Sequence, residues 1–147
     1  MNNRLMCSAV ARALGFAGLL LALAGPARAE VTVVSTFPAN RDRAVDPKVN
    51  TLRIRFSEPI GTGGMSLVQV PNGVSPAFVT PANVRYEDGN RVFIISVRLK
   101  PSTTYGIGVN NEQYGNFRAA APPNEPVTPY VLTFRTGPAP KKAAPKR

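Results

Sequence analysis

The chain has 147 residues, with 18 Lys and Arg against 8 Asp and Glu, no His, no Trp and a single Cys. That length holds a targeting segment plus one domain of ordinary size, and 44% hydrophobic residues are enough to build a core, which excludes global disorder. The inventory also excludes chemistry: without histidine there is no Ser-His-Asp or Cys-His nucleophile.

The first 29 residues read as an export signal. Arg4 and Arg12 supply positive charge, an apolar stretch runs from Ala13 to Ala24, Gly25-Pro26 breaks it, and Ala27-Arg28-Ala29 gives the small-x-small pattern of a signal peptidase site. Cleavage is expected between Ala29 and Glu30, with delivery to the periplasm or outside the cell. The apolar stretch is shorter than the roughly 20 residues that span a bilayer, so no integral membrane span is expected. Cys7 leaves with this segment, and the product forms no disulfide even in a compartment that permits one. Zinc would find only carboxylates.

From Val31 onward short strand patterns alternate with turn signals. Val31–Thr36 is Val/Thr-rich and stops at Pro38; Ala39 to Asn50 is polar and holds the Asp46-Pro47 turn. In Thr51–Phe56, Leu52, Ile54 and Phe56 point one way and Arg53 and Arg55 the other, the period of a half-buried strand. Ser66–Val70 and Ala77–Thr80 are weaker strands around Pro71-Asn72-Gly73. Gly61-Thr62-Gly63-Gly64 lacks the Lys and helix of a phosphate loop and reads as a turn. Asn83–Glu87 and Arg91–Leu99 flank Asp88-Gly89-Asn90, a hairpin signal, with Phe93, Ile95, Val97 and Leu99 on one face and Val92, Ile94, Ser96 and Arg98 on the other. Thr104–Val109 aligns Tyr105, Ile107 and Val109. Asn110 to Pro129 is long, polar and broken by prolines, a loop that is either functional or mobile. Tyr130–Thr136 closes the series with Tyr130, Leu132 and Phe134 aligned. About seven antiparallel strands without a helix make an all-β sandwich. The domain is expected over 30–137, followed by a Pro/Ala/Lys tail over 138–147 that does not pack.

Several of these pieces resemble the bacterial immunoglobulin-like domains of the SbsA surface-layer type. They are Phe37-Pro38-Ala39-Asn40, Val45-Asp46-Pro47, the strand ending Phe56-Ser57-Glu58-Pro59, Leu99-x-Pro101-x-Thr103-x-Tyr105, Gly115-Asn116 and Phe134-Arg135-Thr136. The resemblance spans about Val31 to Gly137 and implies an immunoglobulin-like sandwich that serves as a spacer or binding unit at the cell surface. One departure is the Pro-rich insert Ala119–Pro129, where the family's Gly-Asn loop is compact. Independently of the family, Leu99, Pro101 and Tyr105 have the form of a tyrosine corner, whose hydroxyl bonds back to nearby backbone. Leu99, Pro101, Tyr105, Phe56, Glu58 and Phe134 are the expected structural residues, Glu58 through an Arg partner or backbone bonds.

No catalytic, cofactor or metal residue is assigned. Glu87 and Asp88 sit at a hairpin tip, where turn chemistry accounts for them, and Asn110-Asn111-Glu112 falls short of a calcium loop. The different-class alternative, an exported copper carrier of the CopC type, is disfavoured because copper's imidazole and sulfur ligands are reduced to Met65 beyond Glu30. Arg53, Arg55, Arg98 and Arg85, with Ile94 and Val92 as exposed apolar area, form the candidate partner-binding face; a merely solvated sheet face fits the same residues. Lys141, Lys142, Lys146 and Arg147 form a candidate tether to anionic lipid or polymer, or else a solubilising extension. The expected partner is an envelope protein or anionic envelope polymer. Nucleic acid is not expected, because stacking aromatics do not interleave the basic residues. The chain reads as an exported, non-catalytic binding or scaffolding module.

Overall fold

Alternation of apolar and charged side chains builds the first sheet. Leu52, Ile54 and Phe56 are buried while Arg53 and Arg55 between them are exposed. A computed structural model describes residues 30–79 and 83–140; the expected signal over 1–29 and the four basic residues of the tail lie outside the described residues. Eight strands follow in order: β1 (Val33–Phe37), β2 (Thr51–Phe56), β3 (Leu67–Gln69), β4 (Ala77–Phe78), β5 (Val84–Glu87), β6 (Val92–Arg98), β7 (Thr104–Val109) and β8 (Tyr130–Arg135). All strand pairs are antiparallel. One sheet runs β1–β2–β6, with β5 and then β4 along the far edge of β6; the other runs β3–β7–β8. The expected sandwich is the observed one.

The hairpin between β5 and β6 turns on Asp88, Gly89 and Asn90, all with positive φ (51°, 58° and 67°), a conformation that Gly, Asn and Asp adopt at least cost. The inner faces then meet as expected. Leu52, Ile54, Phe56, Phe93, Ile95 and Val97 from one sheet pack with Tyr105, Ile107, Val109, Leu132 and Phe134 from the other.

The tyrosine corner forms. The Tyr105 hydroxyl accepts the Lys100 N–H at 2.6 Å, its ring packs on Phe134 with centroids 5.2 Å apart, and the exposed Pro101 accepts the Thr103 hydroxyl at 2.8 Å. On the other face of β7 the close approach belongs to glycine. A Cβ on Gly73 would lie 2.5 Å from the Gly106 Cα, and one on Gly108 would lie 2.5 Å from the Val68 Cγ2. The turn after β3 therefore lies flat on β7, which only absent side chains permit.

The segment 110–129 is the main difference from the sequence reading. Length, polarity and prolines suggest a loop that is either functional or mobile, and the structure shows part of it in the core: Phe117 is completely buried, with Ala119 and Val127 nearly so. The Phe117 ring packs against Phe93 at 5.0 Å and Phe56 at 5.5 Å between centroids. Asn110, buried and with φ of 56°, donates to the Phe117 and Val127 carbonyls and accepts the Phe117 N–H. Phe117 and Ala119 alternate with the exposed Asn116 and Arg118, a pattern too short to stand out inside a polar segment.

The free edge of β8 is covered by residues 40–45, which run alongside it. Arg41 N–H donates to Thr133 O, Arg135 N–H to Asp42 O, and Val45 N–H to Arg135 O. Covering an edge in this way hides backbone groups that would otherwise recruit another strand.

Candidate functional site

The register of the first sheet decides which side chains share its outer face. One row reads Phe37, Arg53, Ile94, Arg85 across β1, β2, β6 and β5; the next reads Ser35, Arg55, Val92, Glu87. The structure thus brings Arg53, Arg55 and Arg85 together around the central strand. Arg98 does not join them: it pairs with Ala77 of β4, beyond the point where β2 begins opposite Ser96.

Ile94 and Val92 correct the expectation of exposed apolar area, being only 1% and 4% exposed. The register explains the burial. Arg53 and Arg85 flank Ile94 on the two neighbouring strands, and long arginine stems lie over apolar surface while their charged heads stay in water. Exposed apolar area beside these arginines comes instead from Phe37 on β1, 49% exposed, which lies one residue beyond the strand expected over Val31–Thr36. Its alternation with Thr36, which sits opposite the buried Ile54, is the signal that could have placed it outward.

The charges are not uniformly positive. Arg53 pairs with Glu87 at 2.7 Å and Arg55 with Asp88 at 2.6 Å, all four side chains about half exposed. Glu87 and Asp88 therefore do more than shape a turn: they tie the hairpin tip back to β2. Glu58 finds an Arg partner, Arg91, at 3.4 Å, while Arg91 also donates to Ser57 O at 2.9 Å. Arg85 and Arg98 make no ion pair among the described residues. Ser35, Thr36, Phe37, Arg53, Arg55 and Val92 line a shallow depression on the face. The result is a mosaic of guanidinium, carboxylate, hydroxyl and one aromatic ring on the sheet.

Among the described residues no group of three His, Cys, Asp or Glu could hold a metal ion, and no helix is long and apolar enough to cross a membrane. Tyr86, on the inner side of β5, packs edge-on against Phe93, and burial raises its pKa above the ordinary 10.0. The candidate tether residues Lys141, Lys142, Lys146 and Arg147 lie outside the described residues. The chain approaches them through Gly137, whose N–H donates to Val45 O and whose carbonyl accepts the Ser102 N–H.

A sequence profile of the bacterial Ig-like domain matches residues 27–136. The chain belongs to the bacterial Ig-like domain family. The match takes in every strand of this Ig-like domain, so the tyrosine corner and the face of β1, β2, β6 and β5 lie within the family unit. Solved structures share its fold at low identity. CopC from Methylosinus trichosporium OB3b is 13% identical, with TM-score 0.51 over 77% of this chain and 99% of that one. PcoC, a methionine-rich copper resistance protein from Escherichia coli, is 18% identical, with TM-score 0.47 over 74% and 99%. The S-layer protein SbsC is 12% identical, with TM-score 0.48 over 79% of this chain but 15% of that much longer one. Among curated proteins none matches the sequence.

Proposed function

We propose that this Ig-like domain is an exported, non-catalytic module of the bacterial cell envelope, which binds a protein partner through the outer face of its five-stranded sheet. The observation that carries the reading is the row in which half-exposed Phe37 stands beside Arg53 and Arg85 flanks the same sheet position from the other side. Arginine and aromatic residues are the types enriched where proteins meet. The interleaved Glu87 and Asp88 favour a partner with patterned charge, because a uniformly anionic surface would meet them as like charges. Export is supported by the secretory pattern of residues 1–29 and by membership of a family of surface modules.

The experiment is charge reversal of Arg53 and Arg55 together, with affinity capture from envelope extracts. The variant is expected to lose a partner that the unaltered protein retains; its thermal midpoint falls somewhat, because both ion pairs to the hairpin tip are lost, while its far-ultraviolet circular dichroism spectrum is unchanged. Equal capture by both proteins would remove the face from consideration.

The copper-carrier alternative draws only on likeness of fold. It would need ligands other than imidazole and thiolate, with Met65 the one thioether beyond Glu30.

A further inference from the structure

Charge is sorted along the long axis of the sandwich. At the end where β2 begins and β6 and β8 finish lie Arg41, Arg43, Lys48, Arg98, Lys100 and Arg135, all exposed, against two acids, Asp42 and Asp46. At the opposite end lie Glu30, Glu58, Glu87, Asp88, Glu112 and Glu125, against Arg91 and Arg118. In sequence these residues are interspersed, and only the strand directions separate them.

The basic end has a built feature. The segment 40–45 and the β7–β8 pair enclose an open depression lined by Arg41, Arg43 and Arg135, by Thr104, Thr133 and Phe134, and by Asp42. The backbone holds the arginines in place. Arg41 N–H donates to Thr133 O at 2.6 Å, Arg135 N–H to Asp42 O at 2.7 Å, and the Asn40 side chain accepts the Thr133 N–H at 2.9 Å. Arg135 also donates to the Thr104 hydroxyl at 3.2 Å. Asp42 is occupied by its own turn, accepting the Ala44 N–H at 2.9 Å, and pairs with none of the three arginines. No Asp or Glu occurs outside the described residues, so no acidic side chain from there can neutralise them.

We propose that this depression is an oxyanion site for the phosphate groups of an anionic envelope polymer, with Arg41, Arg43 and Arg135 as the donors. Guanidinium presents planar N–H pairs that match phosphate oxygens two at a time. Three arginines and one carboxylate, Asp42, line the depression; Asp42 pairs with none of them, so the site keeps an excess of positive charge that an external anion would offset. The concave shape accepts one group of a chain, whereas a bilayer presents a flat field of headgroups. The site lies apart from the Phe37–Arg53 face and does not depend on it.

The test is binding of long-chain inorganic polyphosphate to the purified protein over a range of salt concentrations. The proteins compared are the unaltered chain, Arg43→Gln/Arg135→Gln, Arg118→Gln at the acidic end, and a chain ending at Pro140. Arg43→Gln/Arg135→Gln is expected to bind at least about tenfold more weakly, with the slope of log Kd against log salt reduced by about 0.7–0.9 units for the one phosphate no longer held. It should keep its thermal midpoint, since both side chains are exposed. Arg118→Gln and the shortened chain are expected to keep the site. Unchanged affinity and slope in Arg43→Gln/Arg135→Gln would overturn the proposal. So would loss of all binding on shortening, or binding to phosphatidylglycerol vesicles with none to polyphosphate.

Discussion

Asn110 holds the backbone of Phe117 on both sides of its Cα: its Oδ1 accepts the Phe117 N–H at 3.1 Å and its Nδ2 donates to the Phe117 carbonyl at 2.9 Å. A second Nδ2 bond, to Val127 O at 2.9 Å, closes both strands of the returning segment onto one side chain. Asn110→Ala is expected to cost about 2–4 kcal/mol, since it strands buried backbone groups and places a Cβ-bearing residue without Asn's local bonding at φ of 56°. Asn110→Gly relieves the backbone and isolates the side-chain bonds, so it should lose less. Urea denaturation of the two variants measures the difference.

Phe117→Ala should cost more, about 3–5 kcal/mol, because it empties a completely buried site between Phe56 and Phe93. If residues 110–129 were a mobile appendage, the same change would scarcely shift the denaturation midpoint.

The contrast between these residues and β2 shows what was legible. Leu52, Ile54 and Phe56 announce their face because Arg53 and Arg55 alternate with them, and Asp88-Gly89 announces the hairpin through its positive φ. The tyrosine corner at Tyr105 could be read from spacing, though its partner, the Lys100 N–H, comes from the structure. Phe117 had only the small Ala119 in phase with it. Ile94 misled because period two assigns a face, while exposure depends on the strands alongside. Arg53 and Arg85 come from segments about thirty residues apart, and only their pairing with one central strand makes them a cover. The end-to-end sorting of charge depends in the same way on topology.

Tyr105→Phe removes the acceptor of the Lys100 N–H and keeps the ring against Phe134. The expected loss is about 1–2 kcal/mol, seen as a lower thermal midpoint with an unchanged far-ultraviolet circular dichroism spectrum.

Gly73→Ala would drive a methyl group to 2.5 Å from the Gly106 backbone, where neither neighbour is a flexible side chain that could yield. The variant should lose about 1–3 kcal/mol. Gly63→Ala, with open space around its Cβ, serves as the comparison and should stay within about 0.5 kcal/mol of the parent.

Burial raises the Tyr86 pKa above 10.0, which sets the sign of an alkaline effect. The unfolded chain ionises this phenol first, so its contribution is complete below about pH 10 and is lost as pH rises towards the folded value. Tyr86→Phe should therefore show a shallower decline in the urea midpoint between about pH 9 and 11 than the parent protein.

The central functional claim is that the outer face of β1, β2, β6 and β5 meets a partner. The most direct measurement is a photo-crosslinking residue placed at position 37 in intact cells, with a second at position 131, equally exposed on the opposite sheet. The account predicts a discrete adduct from position 37 that vanishes when Arg53 and Arg55 are reversed in charge. An adduct from position 131 alone, or one from position 37 that survives the reversal, would contradict it.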